Sequence, residues 1–184
     1  PYGRIRFGEP LHPPVAAFTD RCLSLGTTSK TIAPGLRVGW VVGDPAVVAS
    51  LALLKQAVDL NTAALTQWLT LDLLRRPGWL AARGDQLRGY YRPRAERLAA
   101  ALRDALPAAD VPAARGGLFL WLTLPGVDTA ELLPRAVDHG VAFVPGAAFR
   151  TDAATSDQLR VSFATLDDAD LDEAARRLGK AVPG

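Results

Sequence analysis

Short apolar runs bounded by glycine and proline alternate along the chain with longer stretches whose apolar positions recur every three or four residues. The first pattern predicts strands and the second amphipathic helices. Residues 1 to 20 hold Pro1, Pro10, Pro13 and Pro14 with Gly3 and Gly8, which predicts loop with at most a short strand around Arg4 to Phe7. Arg21 to Leu25 and Val38 to Val42 read as strands on either side of a segment broken by glycine and proline. Asp44-Pro45 then supplies a helix N-cap and a first-turn proline, and Val47, Val48, Leu51, Leu54 and Val58 follow at helical spacing. Asn61 to Leu74 reads as a second helix carrying Leu65, Trp68, Leu69 and Leu73, with Arg75 and Arg76 as its solvated, dipole-compatible end. A third helix is predicted from about Trp79 to Leu106, with Leu87, Tyr91, Ala95, Leu98 and Leu102 on one stripe and a kink at Pro93.

Beyond Pro107 the elements shorten. Gly116-Gly117 opens a strand over Leu118 to Leu124, and Asp128 to Asp138 reads as a helix stopped by Gly140. Val141 to Val144 reads as a short strand, Pro145 to Phe149 as a turn, and Gln158 to Ala164 as a strand. Thr165 with Asp168 three positions on resembles a capping box and opens a last helix to about Lys180. Strand and helix alternate without internal repeats or low-complexity tracts, which predicts an α/β portion followed by an α+β portion.

Composition narrows the function classes. A hydrophobic fraction of 49% and a charged fraction of 22% over 184 residues are ordinary for a globular protein with a sizeable core. The net charge of +2, from 21 basic and 19 acidic residues, points to neither nucleic acid nor a membrane surface as partner, despite a pI near 9.1. The single cysteine, Cys22, excludes an internal disulfide framework and fits a reducing, cytoplasmic compartment; on its strand it reads as a buried small hydrophobe. No apolar run reaches the ~18 residues of a membrane span, and no signal peptide opens the chain. The absence of methionine, even at position 1, suggests the C-terminal part of a longer protein. With His12 and His139 isolated, no metal cluster is expected.

The chemistry concentrates in residues 26 to 40, Gly-Thr-Thr-Ser-Lys-Thr-Ile-Ala-Pro-Gly-Leu-Arg-Val-Gly-Trp. Lys30 offers a nucleophilic amine, while Thr27, Thr28, Ser29 and Arg37 form a donor set suited to a phosphate. A lysine beside a phosphate cradle suggests a Schiff base with a phosphorylated aldehyde cofactor. Arg160, in Gln158-Leu159-Arg160-Val161-Ser162-Phe163, is costly inside an apolar strand unless paired, and so asks for an anionic partner.

The stretch Gly26 to Gly39, with Thr27-x-Ser29-Lys30 followed by Pro34-Gly35-Leu36-Arg37-x-Gly39, resembles the cofactor-lysine motif of the fold-type I, class I/II aminotransferases. The pattern is nearest to the aminoadipate-type enzymes and to the aminotransferase-like domain of MocR regulators. The resemblance implies residues 1–80 as the C-terminal part of an α/β large domain and 81–184 as an α+β small domain. It further implies pyridoxal 5'-phosphate as cofactor, Lys30 as its Schiff-base lysine, and Thr27, Ser29 and Arg37 as holders of the phosphate. Tyr2 matches the tyrosine of the family's Asp-x-x-Tyr segment, which binds the cofactor's phenolic oxygen; the Asp would precede Pro1. Thr28 departs from the apolar or aromatic residue usual at its position. Arg160 lies in a Leu-Arg-x-Ser-Phe strand like the one that clamps the substrate carboxylate. Gly116-Gly117-x-Phe119-x-Trp121 and Pro145-Gly146-x-x-Phe149 match further family segments, the first near the substrate. Trp40, Trp68 and Trp79 read as core or dimer-interface residues. The implied activity is ping-pong transfer of an amino group between an α-amino acid and a 2-keto acid in a homodimer. The alternatives are another reaction of the scaffold, such as β-elimination or racemisation, or the effector domain of a MocR-type regulator.

Overall fold

Asp44 shows why the first long helix begins where it does: its Oδ1 accepts the backbone N–H groups of Ala46 at 2.8 Å and Val47 at 3.2 Å. With Pro45 in the first turn, this starts α1 (Pro45–Val58) at the predicted residue. The computed structural model describes residues 2–8, 12–152 and 155–183; Pro1 and residues 9–11, part of the predicted loop, lie outside the described residues. The chain divides into two units, Pro1–Arg88 and Gly89–Gly184.

In the first unit, β1 (Ser24–Thr27) and β2 (Gly39–Val42) form an antiparallel pair in which Ser24 faces Val42 and Thr27 faces Gly39. Pairing therefore runs later than the predicted strand, into the Gly26-Thr27 motif itself. A 3-10 turn at Gly3–Ile5 stands where a short strand around Arg4 to Phe7 is expected, and a second 3-10 turn lies at Val15–Ala17. Helix α2 (Ala64–Arg75) begins after Asn61, because Leu60 takes a positive φ of 61° and Ala63, at the N-cap, has no side-chain acceptor. The spacing of apolar residues in α1 and α2 is helical as predicted, yet no residue of α1 is buried, and Thr70 is the buried residue of α2. Val58 is 83% exposed and Trp68 66%, so the apolar stripes of these helices stand uncovered. Trp40 is exposed as well, and Cys22 is half-buried with its Sγ directed at the Thr19 carbonyl.

Helix α3 (Trp79–Ala105) spans the division between the units and continues on both sides of Pro93. Its C-terminal part belongs to the second unit, where Ala95, Leu98 and Leu102 of the predicted stripe are buried. There, β3 (Phe119–Thr123), β4 (Val144–Pro145) and β5 (Gln158–Ser162) form an antiparallel sheet in the order β3-β5-β4. Leu120, Leu122, Leu159 and Val161 are buried with residues of α3, α4 (Thr129–Asp138) and α5 (Asp168–Ala181), among them Leu132, Leu171 and Leu178. Strand alternation puts Phe119, Trp121 and Arg160 on the opposite, open face.

Polar contacts tie the second unit's helices together. Arg97 donates to both carboxylate oxygens of Asp172, joining α3 to α5. Hydrogen bonds from Arg176 and Arg177 hold the Glu173 carboxyl down at about 2, and Arg177 also donates to the Gly140 carbonyl at the end of α4. The N-cap of α5 is Asp167, whose Oδ1 accepts the Asp170 N–H at 2.9 Å, and not the predicted Thr165.

Candidate active site

The β1–β2 pair closes residues 28–38 into a loop, and the closure is made by hydroxyls. The Val38 carbonyl lies within hydrogen-bond distance of the Thr28 N–H at 3.1 Å, the Thr27 hydroxyl at 3.0 Å and the Thr28 hydroxyl at 3.2 Å. A carbonyl oxygen has two lone pairs, so these donors outnumber the acceptor sites. Thr28 is buried and keeps its place, which leaves the half-buried Thr27 hydroxyl as the surplus donor. Thr27 Oγ1 also accepts the Ser29 N–H at 3.1 Å and lies 3.0 Å from Ser29 Oγ, to which its hydroxyl can donate. This accounts for a threonine at position 28: it is the buried latch of the loop.

Lys30 lies in the turn that follows, where the Thr31 and Ile32 N–H groups bond to the Thr28 carbonyl. It is half-buried and, among the described residues, has no hydrogen bond or ion pair. Arg83 of α3 donates its Nε–H to the Thr31 carbonyl at 3.3 Å and so props the turn next to Lys30, a support that sequence reading missed. The loop ends through a short 3-10 turn, Pro34–Leu36, at Arg37. Arg37 adopts a left-handed backbone, φ 53° and ψ 35°, uncommon for a residue with a Cβ, and its Nη1 donates to the Pro34 carbonyl at 3.0 Å. Residues 26–40 contain no aspartate or glutamate. Hydroxyls, an ammonium and a guanidinium on a loop free of carboxylates fit a phosphate dianion. A Cβ at Gly26 would lie 2.1 Å from the ring of Trp40, its cross-strand partner, so a side chain there would displace the indole.

Tyr2 is half-buried and gives its carbonyl to the Ile5 N–H at 2.9 Å. Arg160 belongs to the second unit, at the centre of its sheet, with Trp121 opposite on β3 and Val144 opposite on β4. It was expected to need an anion. Instead its guanidinium carbon lies over two rings, 4.1 Å from the Phe119 centroid and 4.9 Å from that of Phe149. No carboxylate pairs with it among the described residues. Phe149 sits in a short 3-10 helix, Gly146–Phe149, which packs so closely on β5 that a Cβ on Gly146 would lie 2.7 Å from the Gln158 carbonyl oxygen. Gly146→Ala is therefore expected to cost about 1–3 kcal/mol, and to shift Phe149 off Arg160. Thermal unfolding gives the first effect, and a change in the fluorescence of Trp121, whose indole meets Phe149 edge-on, the second.

Among the described residues, no group of three or more His, Cys, Asp or Glu side chains could hold a metal ion. The structure thus gathers Thr27, Ser29, Lys30 and Arg37 on one closed loop, with Tyr2 elsewhere in the same unit and Arg160 in the other.

The family model described as aminotransferase class I and II matches residues 2–178. The aromatic-amino-acid aminotransferase 1 of Thermococcus litoralis is 34% identical over 187 residues, covering 99% of this chain and 44% of that protein. The 2-aminoadipate transaminase of Thermus thermophilus is 35% identical over 190 residues, covering 100% of this chain and 47% of that protein. The crystal structure of alpha-aminoadipate aminotransferase from Thermus thermophilus, complexed with N-(5'-phosphopyridoxyl)-L-leucine, is similar with a TM-score of 0.88 at 36% identity, covering 98% of this chain and 48% of that one. The chain spans about half the length of the relatives it matches.

Proposed function

The chain belongs to the class I and II aminotransferase family, and from that premise we propose that it carries the lysine segment and small domain of a pyridoxal-phosphate aminotransferase. The observation that carries the reading is Lys30: a half-buried amine without a protein partner among the described residues, on the same closed loop as donors that fit a phosphate. Residues 1–80 are then the end of the cofactor-binding domain and 81–184 the small domain. Thr27, Ser29 and Arg37 hold the cofactor phosphate, and Tyr2 donates to its phenolic oxygen. When bound, pyridoxal phosphate supplies the electron sink that stabilises charge at the substrate α-carbon. Lys30 would hold the cofactor through its Nζ, and the same Nζ, once freed, would take the α-carbon proton and return it. Arg160 orients the substrate through its carboxylate, a bidentate match for the guanidinium fork.

The substrates are an α-amino acid and a 2-keto acid, with 2-aminoadipate and aromatic amino acids the first donors to try, since the relatives are named for them. The uncovered stripes of α1 and α2 support burial of this face in the complete protein, against the rest of a family-length chain and a second subunit of a homodimer. No helix among the described residues is long and apolar enough to cross a membrane, and a cytoplasmic location accords with the single cysteine. The test is the half-reaction. Protein loaded with pyridoxal phosphate is expected to lose its visible band on addition of a donor amino acid, releasing one equivalent of keto acid. A cofactor that stays bound and unbleached by every α-amino acid would overturn the transaminase reading and favour a regulator's effector domain. Ammonia released together with the keto acid, with the cofactor's visible band retained, would assign elimination, and racemised substrate without keto acid would assign racemisation.

A further inference from the structure

An arginine on the open face of a small sheet ordinarily finds a carboxylate or turns to water. Arg160 finds no carboxylate among the described residues: its half-buried side chain lies over the rings of Phe119 and Phe149, at 4.1 and 4.9 Å, and makes no side-chain hydrogen bond or ion pair among them. Rings that take the flat faces of a guanidinium leave its in-plane N–H donors free, and those are the donors a carboxylate meets bidentately. Phe149 is itself fixed from behind. The indole of Trp121 meets it edge-on at 5.1 Å and 77°, and Trp121 is the residue directly opposite Arg160 in the β3–β5 register. Gly146 lets the 3-10 helix that carries Phe149 approach β5 within contact distance of the Gln158 carbonyl.

We propose that Phe119 and Phe149, the latter braced by Trp121, are positioning residues that hold the Arg160 guanidinium edge-on for a substrate carboxylate. The inference rests on the role assigned to Arg160 above. An acid neighbour would neutralise the arginine and compete with the substrate; two aromatic rings restrain it while leaving its charge available. The rings also exclude water from one side of the guanidinium, which strengthens the ion pair formed when substrate arrives.

The test is a double-mutant cycle between Phe149 and Arg160 in the cofactor-loaded protein. Two readouts serve: the calorimetric dissociation constant of a non-reacting carboxylate, 4-methylpentanoate, and the split between KM and kcat. Phe149 is 48% exposed, so Phe149→Leu leaves the fold intact, which the unfolding temperature verifies. We expect Phe149→Leu to weaken carboxylate binding and raise KM about 5- to 20-fold, with kcat within about threefold of wild type, and Phe149→Tyr to restore both. In the Arg160→Ala background the same Phe149→Leu change is expected to have no further effect. An equal penalty in both backgrounds would mean that Phe149 packs on the substrate directly, and no penalty in either would mean that the rings do not position Arg160; each result overturns the proposal while leaving the arginine's role intact. Arg160→Ala binding the carboxylate as wild type does would overturn that role, and the positioning with it.

Discussion

Replacing Lys30 by alanine is expected to lower transamination by about 10^4-fold and to abolish covalent retention of pyridoxal phosphate. One side chain is asked to do two things, to bond the cofactor's aldehyde carbon and to carry the substrate's α-proton, and proton transfer alone accounts for about 10^2–10^4-fold. The chain's lysines, Lys30, Lys55 and Lys180, make the assignment easy to check. Lys55 is held 2.5 Å from Asp59 on the outside of α1, and Lys180 stands exposed in the last turn of α5. Borohydride reduction of the loaded protein, followed by peptide mass mapping, should place the pyridoxyl adduct on Lys30 and on neither of the others. The adduct should vanish in Lys30→Ala, and small primary amines should restore part of its activity by entering the space left by the side chain. An adduct on Lys55 or Lys180, or undiminished turnover in the variant, would sink the assignment.

What the sequence made legible follows from how local each signal is. The Asp44-Pro45 start, the α3 stripe and the Gly140 stop are decided by residues within a turn or two, and the structure has them as predicted. Val141 to Phe143 misled because their apolar run looks like a strand. Their first residue is taken by the end of α4 instead: the Gly140 N–H bonds to the Val137 carbonyl and the Val141 N–H to that of Ala136, so pairing with β5 begins at Val144. The α5 cap was misplaced because Thr165 and Asp167 are both cap formers, and only the observed bond from the Asp170 N–H separates them.

The candidate site divides the same way. Lys30, Thr27, Ser29 and Arg37 were legible because they sit within one short motif. What was hidden is what holds them: the crowded Val38 carbonyl, the buried Thr28 and the reach of Arg83 from α3 all depend on the fold bringing distant residues together. Arg160 was legible as an arginine that needed a partner, and the rings that serve it were not. Phe119 and Trp121 share a face by simple alternation, but only the register sets Arg160 beside them, and only the tight seat of Gly146 brings Phe149 over. The exposed stripes of α1 and α2 make the converse point. Periodicity reports that a face is meant to be covered, and it does not report by what.

Arg37→Gly is expected to stabilise the cofactor-free protein while removing most of its affinity for the cofactor phosphate. Arg37 holds φ 53° and ψ 35°, a conformation that costs a residue with a Cβ about 1–2 kcal/mol and glycine almost nothing. Glycine also loosens the unfolded chain, which takes back about 0.4–1 kcal/mol. The balance is a gain of about 0.5–1 kcal/mol, or an unfolding temperature higher by about 1–4 °C. The hydrogen bond given up, from Nη1 to the Pro34 carbonyl, is exposed and offsets only a fraction of this. Against the gain stands the loss of a charge-assisted fork on the phosphate, at about 3–4 kcal/mol, or about 10^2–10^3-fold in the dissociation constant of pyridoxal phosphate. Ligand binding stabilises the form that binds. The two proteins should therefore exchange rank: the variant melts higher without cofactor, and wild type melts higher with cofactor in excess. Arg37→Lys keeps a charge and the strained backbone but not the fork, and should show weakened binding without the stability gain. A variant that is destabilised without cofactor would mean that Arg37 holds the loop together. Wild-type affinity in Arg37→Gly would instead remove the arginine from the phosphate site, whatever its backbone. Only the exchange of rank fits an arginine kept in a strained conformation for the sake of the anion it faces.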